Sequence, residues 1–290
     1  MDELSKKTQS GIPGLDDLIG GGFRKNSIIS VSGSTGSGRT IFGLQFLMGG
    51  IEQGEVGMYI SFDEKKHSFY ENMKSCGWNL AAMEAKKQFV FIEYPVHEVE
   101  SLIDQESGIR DLIDAVGVER VVLDSVTPFA LSFDSEDDRR IALGKLVEKM
   151  RKWLCTVLVI AEDTGEHGIA VPRTKAGIEY VADGFIHLSF IKDGMKRSRY
   201  LEVVKMRGAA HMHEMFPAKI DDEGFSVITG KVQVRKKEKL KQAVEEKQQV
   251  KKEIMPEQRP KLSKFVLPKS FDYGKEETEL IEEEEKDDII

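Results

Sequence analysis

The run V31-S-G-S-T-G-S-G-R-T40 constrains this chain more than any other stretch. Its template is Gly, four free positions, Gly, Lys, then Ser or Thr, set between a strand and a helix. Gly33, Gly38 and Thr40 fit, and Arg39 stands where the template has lysine. The apolar run S27-I-I-S-V-S32 precedes the loop and the helical pattern I41-F-G-L-Q-F-L-M48 follows it. Glycines let such a loop curl so that successive N–H groups face phosphate oxygens, and the following helix adds its positive end. Gly33, Ser34, Thr35, Gly36, Ser37, Gly38, Arg39 and Thr40 are therefore candidate nucleotide contacts, with the Thr40 hydroxyl placed to hold Mg²⁺.

Two acidic elements extend this reading. V121-V-L-D124 is an apolar strand ending in a carboxylate, which can hold the metal directly or through water. S61-F-D-E64 puts Asp63 and Glu64 at the end of the strand after the loop's helix, where a carboxylate can orient an attacking water. Taken singly, a strand-end aspartate also suits a turn, and an acidic pair opening a helix also suits an N-cap.

Further apolar runs occur at V56-G-M-Y-I-S-F62, F89-V-F-I92, R120-V-V-L123 and T156-V-L-V-I-A161. Helical patterns fall between them around 66–76, around 98–116 and from Asp137 to Trp153. The last aligns Leu143, Leu146, Val147, Met150 and Trp153 on one face. Strands apolar on nearly every residue, alternating with helices, predict an α/β fold with a mostly parallel sheet covered on both faces. After Asp183 the pattern changes. Two strand-like runs flank Asp193-Gly194, a hairpin signal, and shorter β pieces follow at P217-A-K-I220 and G224-F-S-V-I-T229. An antiparallel extension at one edge of the sheet is expected.

The formal net charge of −8 is unevenly spread. From Lys231 to Lys269 there are 13 Lys/Arg against 5 Asp/Glu, and from Ser270 to Ile290 there are 2 against 10. Residues 1–230 thus read as an ordered domain and 231–290 as a charged tail, basic and then acidic. Residues 235–254 carry a thin helical stripe. L262-S-K-F-V-L-P-K-S-F-D-Y273 is an apolar island that could dock a protein partner or pack on its own domain. An acidic body argues against a duplex nucleic-acid groove. No apolar run approaches the ~20 residues of a membrane helix, and the first residues lack a signal segment, so a cytoplasmic location is expected. Cys76 and Cys155 form no disulfide framework, and both are expected to pack inside. H211-M-H213 lacks a nearby third ligand for a metal site.

The sequence resembles the KaiC branch of the RecA-like P-loop ATPases. The resemblance rests on G11-I-P-G-L-D-D-L-I-G-G-G-F23, the loop 33–40, S61-F-D-E64, F69-Y-E-N-M-K-S-C-G-W78, R120-V-V-L-D-S-V-T127, G177-I-E-Y-V-A-D-G184 and K205-M-R-G-A-A-H211, in the family's order. It implies a RecA-like fold, ATP with Mg²⁺, and a homo-oligomeric ring, commonly of six subunits, with ATP at each interface. It also implies that Asp63 and Glu64 act as general base and that Lys205 and Arg207 reach the neighbour's ATP. The family pattern has Lys at 39 and usually Glu at 63. Arg39 keeps the charge on a wider, forked group, and Asp63 shortens the carboxylate stem. ATP binding with slow hydrolysis and a regulatory role is the expectation; a hydrolysis-deficient nucleotide-sensing scaffold is the alternative. DNA strand exchange is disfavoured by the acidic body. A clock role is not implied, because the clock proteins carry two such domains and a phosphorylated segment.

Overall fold

Six consecutive buried residues, Ile28 to Gly33, form the strand at the centre of the sheet. Burial on both faces suits a strand of apolar and small residues, with Ser30 and Ser32 enclosed beside Ile28, Ile29 and Val31. The computed structural model describes residues 6–95, 108–165 and 171–229. In chain order the elements are β1 (Lys7–Thr8), α1 (Leu15–Leu18), β2 (Phe23–Arg24), β3 (Ile28–Gly33), α2 (Arg39–Ile51), β4 (Val56–Ser61), α3 (Lys66–Ser75), α4 (Leu80–Ala85), β5 (Phe89–Glu93), α5 (Gly108–Val116), β6 (Val118–Asp124), α6 (Val126–Leu131), α7 (Glu136–Lys152), β7 (Thr156–Glu162), a 3₁₀ turn (Ile178–Tyr180), β8 (Gly184–Asp193), β9 (Lys196–Met206), β10 (Met215–Asp221) and β11 (Gly224–Val227).

Nine strands form one sheet in the order β11-β10-β9-β8-β3-β7-β6-β4-β5. Every pairing from β8 to β5 is parallel, and those among β8, β9, β10 and β11 are antiparallel. The expected parallel core with an antiparallel edge is therefore what forms. Strand alternation divides the core in two. Phe42 and Phe46 of α2 and Phe69 of α3 pack with Tyr59, Val122, Leu158 and Ile160 on one face. Ile113 of α5, Phe129 of α6 and Leu143 and Leu146 of α7 pack with Met58, Ile60, Val121, Val157 and Val159 on the other.

Local chemistry sets the element ends. Ser135 caps α7 by accepting the Asp138 N–H at 3.0 Å; acidic residues fill the first turn, and Lys149, Arg151 and Lys152 the last. Both charge placements suit the helix dipole. β8 and β9 are joined through Gly194-Met195, with Gly194 at φ 57, the positive angle a II′ hairpin needs at its first central residue.

Some expectations need correction. Cys155 is buried, its thiol pushed up to about 12 chiefly by burial, but Cys76 is exposed. Cys76 caps the end of α3, and Gly77 at φ 89 turns the chain away there, so the thiol faces outward. Helices α4 and α6 and the β1–β2 pair were not anticipated. Among the described residues no helix is long and apolar enough to cross a membrane. The readings of residues 235–254 and 262–273 lie outside the described residues.

Candidate functional site

Parallel strands deliver their carboxyl ends to one edge, and β3, β4, β6 and β7 bring the loop 33–40, the Asp63–Glu64 pair, Asp124 and Glu162 to it. The loop curls through Gly36 at φ 81 and Gly38 at φ 101, with the Ser37 N–H donating to the Ser34 carbonyl at 3.1 Å. Gly33 has no room for a side chain: a Cβ would sit 2.4 Å from the Leu188 carbonyl oxygen and 2.5 Å from Ser37 Oγ. Gly33→Ala must push β8 from β3 or open the loop. We expect it to weaken ATP binding at least tenfold, read by calorimetry, and an unchanged affinity would contradict the close fit.

Ser37 Oγ is buried without a hydrogen-bond partner, as expected of a cradle built for a polar ligand. From β9, Arg199 donates through Nε and Nη2 to the Gly36 carbonyl at 3.1 and 3.0 Å and lies 4.5 Å over the Phe190 ring. Sequence reading passed over Arg199, because only strand register brings position 199 to the loop.

At the helix end of the loop, Thr40 Oγ1 donates to Asp124 Oδ2 at 3.0 Å. The Tyr59 hydroxyl donates to the same oxygen at 2.5 Å. Arg39 Nη1 donates to the Ala161 carbonyl at 2.9 Å, at the end of β7. Burial raises the Asp124 carboxyl above its ordinary range, opposed by the Tyr59 and Thr40 hydrogen bonds and the Arg39 charge. Asp63 and Glu64 are exposed, yet both are pushed up, first by partial desolvation and then by the neighbouring charge of Asp124. Glu162 is held low by its hydrogen bond from Lys175, at 2.7 Å, and its own N–H donates to Thr127 Oγ1 at 2.8 Å. Glu162 and Lys175 also escaped sequence reading, and Thr127 entered it only as the last residue of R120-V-V-L-D-S-V-T127, without a role.

Carboxylates that raise one another's proton affinity form a place where a cation relieves repulsion. Among the described residues, however, no group of three or more His, Cys, Asp or Glu side chains is arranged to hold a metal, the H211-M-H213 pair included. Thr40 and Asp124 thus suit an ion that takes most of its ligands from phosphate and water, which is how Mg²⁺ binds.

Two clefts flank the loop. One, of ≈ 200 Å³, is lined by Gly33, Ser34, Thr35, Glu162, Asp163 and Lys175. The other, of ≈ 300 Å³, lies beyond the helix start and is lined by Ile41, Cys76, Trp78, Ile220, Asp221 and Asp222 among others.

Lys205 and Arg207 lie elsewhere. Lys205 pairs in register with Phe185 near the start of β8, whereas Gly33 pairs with Leu188. Gly184, the first residue of β8, is four residues from Leu188, about 13 Å along the strand, so these two cations stand towards the opposite edge from their own phosphate loop. Lys205 Nζ donates to the Glu179 and Ala182 carbonyls at 3.0 and 2.8 Å; burial, then the Arg207 charge, lowers its pKa. Arg207 Nη1 is 3.8 Å from Asp183 Oδ1. Asp183 is buried and gathers Arg151 at 3.0 Å and Arg24 at 3.9 Å as well. Burial alone would raise its carboxyl, but the Arg151 hydrogen bonds, the Ile28 N–H and the arginine charges outweigh it and hold it low.

Comparison with known proteins agrees with this architecture. A family model described as the KaiC ATPase matches residues 8–232. A UPF0273 protein of Pyrococcus horikoshii is 30% identical over 249 residues, 81% of this chain and 98% of the relative. The circadian clock oscillator protein KaiC of Synechococcus elongatus is 31% identical over 231 residues, 77% of this chain but only 44% of that protein. The solved structure of a KaiC-like protein from Pyrococcus horikoshii superposes with a TM-score of 0.68 at 28% identity, covering 77% of this chain and 99% of that one. With its phosphate loop on a RecA-like sheet, this chain belongs to the KaiC ATPase family.

Proposed function

We propose that the chain binds ATP with Mg²⁺ at the loop 33–40, hydrolyses it slowly, and uses the bound state to set a homo-oligomeric ring, commonly of six subunits in the family it resembles, with a regulatory role. The observation that carries this reading is the convergence of the curled loop with the Thr40–Asp124 hydrogen bond at one sheet edge. In this reading the nucleoside would occupy the cleft at Ile41 and Trp78, and the terminal phosphate would face the cleft at Ser34, Glu162 and Lys175. Bound metal would neutralise phosphate charge beside Thr40 and Asp124. Asp63 or Glu64 would orient the attacking water, and their raised proton affinity suits a base. Calorimetry with ATP and Mg²⁺ tests the reading; no heat and no thermal protection would remove it.

Lys205 and Arg207, remote from their own loop, are the cations offered to a neighbour's ATP. Arg207→Ala is expected to abolish ATP-dependent assembly seen by light scattering, and to lower any hydrolysis ~10³-fold, with the monomer still folded. Assembly and turnover equal to wild type would remove the trans contact.

A second reading, a nucleotide-sensing scaffold without useful hydrolysis, is favoured by the engagement of Arg39 with the Ala161 carbonyl. Turnover measured with and without the assembled state separates the two. In either case residues 1–230 form the nucleotide domain and 231–290 a charged tail, and we propose that residues 262–273 dock a partner. Deleting 231–290 should then lose the partner and keep ATP binding.

A further inference from the structure

Tyr59 is a fully enclosed phenol, 1% exposed, in the middle of β4. A tyrosine in a core needs a partner for its hydroxyl. This one donates to Asp124 Oδ2 rather than to a backbone carbonyl. Asp124 Oδ2 therefore accepts two hydrogen bonds, from Tyr59 on β4 and from Thr40 at the start of α2, while Oδ1 accepts none from the described residues. A carboxylate turns easily about its last bond, and one donor would leave that rotation soft. Two donors arriving from different elements fix the plane and decide which oxygen is left for another ligand.

The two donors differ in what holds them. Thr40 sits where the phosphate loop meets α2 and is itself a candidate metal contact. Tyr59 belongs to the sheet, and its ring is set by Phe69, with centroids 4.5 Å apart, and by Phe91, at 5.7 Å and nearly parallel at 4°. Its hydroxyl is held by core packing and not by the loop.

We propose that Tyr59 is a positioning residue for the metal: its hydroxyl pins Asp124 through Oδ2 and presents Oδ1 to the cation or its waters before ATP arrives. The inference rests on the ATP–Mg²⁺ reading above and adds to it a residue outside the motifs. Partners that orient a ligand commonly carry ten- to hundredfold effects on metal affinity.

The test uses the full chain, with calorimetry of ATP binding at graded Mg²⁺ and without Mg²⁺, plus Mn²⁺ titration followed by electron paramagnetic resonance. Tyr59→Phe keeps the ring and removes one oxygen. The Mg²⁺ concentration for half-maximal tightening of ATP binding should rise about tenfold. ATP affinity without metal should stay unchanged, and the bound Mn²⁺ spectrum should broaden as Asp124 gains freedom. Phe89→Leu, a core change in the same cluster away from the rings that hold Tyr59, is the packing control. It should lower the melting temperature while leaving the Mg²⁺ requirement unchanged, and a shift matching that of Tyr59→Phe would assign the effect to packing and overturn the proposal. A Tyr59→Phe protein with the wild-type Mg²⁺ requirement and Mn²⁺ spectrum also overturns it, leaving the nucleotide reading intact. Wild-type protein that binds no ATP under any condition sinks both.

Discussion

Changing Arg39 to Lys is expected to raise ATP turnover by ~10²-fold while changing ATP affinity little. The backbone cradle does most of the gripping and is untouched by the exchange. What differs is the cation. The Arg39 guanidinium is planar and forked, and it already donates to the Ala161 carbonyl at 2.9 Å, beside the Asp124 and Glu162 charges. Leaving that position for a phosphate oxygen breaks a backbone hydrogen bond next to two carboxylates. A lysine ammonium is compact and rides on a flexible stem, so it can follow charge as it moves between phosphates during bond breaking. Only contact that strengthens in the transition state speeds the step. Phosphate release at saturating ATP and Mg²⁺ is the measurement, and turnover equal to or below wild type would mean that Arg39 does not limit hydrolysis. Asp63→Glu added to Arg39→Lys should raise the rate again, because the longer stem restores reach to the water.

Features encoded locally were legible in the chain. The loop could be read because glycines, a hydroxyl and an apolar strand sit within about a dozen consecutive residues, and the β8–β9 hairpin because Gly194 signals a turn, although the turn forms at Gly194-Met195, one residue beyond the expected Asp193-Gly194. Long-range pairings were not. Tyr59 reads as one more apolar letter in V56-G-M-Y-I-S-F62, and its partner Asp124 lies on a different strand. Arg199 looks like a solvated charge on an edge strand until β9 pairs with β8 and swings it over Gly36. Glu162 and Lys175 are 13 residues apart in the chain, so neither signals the other in sequence. Lys205 and Arg207 were singled out only through the family resemblance, and that they stand away from their own loop required the register of β8 and β9. Helix α6 was missed because V126-T-P-F-A-L131 mixes β-branched residues with Pro128, and tertiary packing, not propensity, makes it helical.

Arg120 supplies the second large effect, on stability instead of chemistry. It opens the apolar run R120-V-V-L123 and would pass for a strand-end charge, yet it is 1% exposed. Its Nη1 donates to the Gln9 and Phe46 carbonyls, each at 2.8 Å; its Nε meets Glu55, and its guanidinium lies 4.8 Å from the Phe46 ring centre. The side chain thus ties the N-terminal segment, the end of α2 and the foot of β6 together. Gly50 is required beside it, since a Cβ there would fall 2.4 Å from Arg120 Nε. Arg120→Met should fill much of the volume but leave two carbonyls and a carboxylate without their donor, a loss of about 3–5 kcal/mol in urea unfolding. Glu55 keeps 23% of its side chain exposed and can turn to water, which places the expectation near the lower end. Adding Glu55→Gln separates the causes. If the stranded carboxylate dominates, the double variant recovers most of the loss; if the two carbonyls dominate, it recovers little. Because the Phe46 carbonyl belongs to α2 and cannot turn to solvent without moving that helix, little recovery is the expected result. A single-variant loss below about 1 kcal/mol would mean that water replaces the guanidinium at no cost, contrary to its burial.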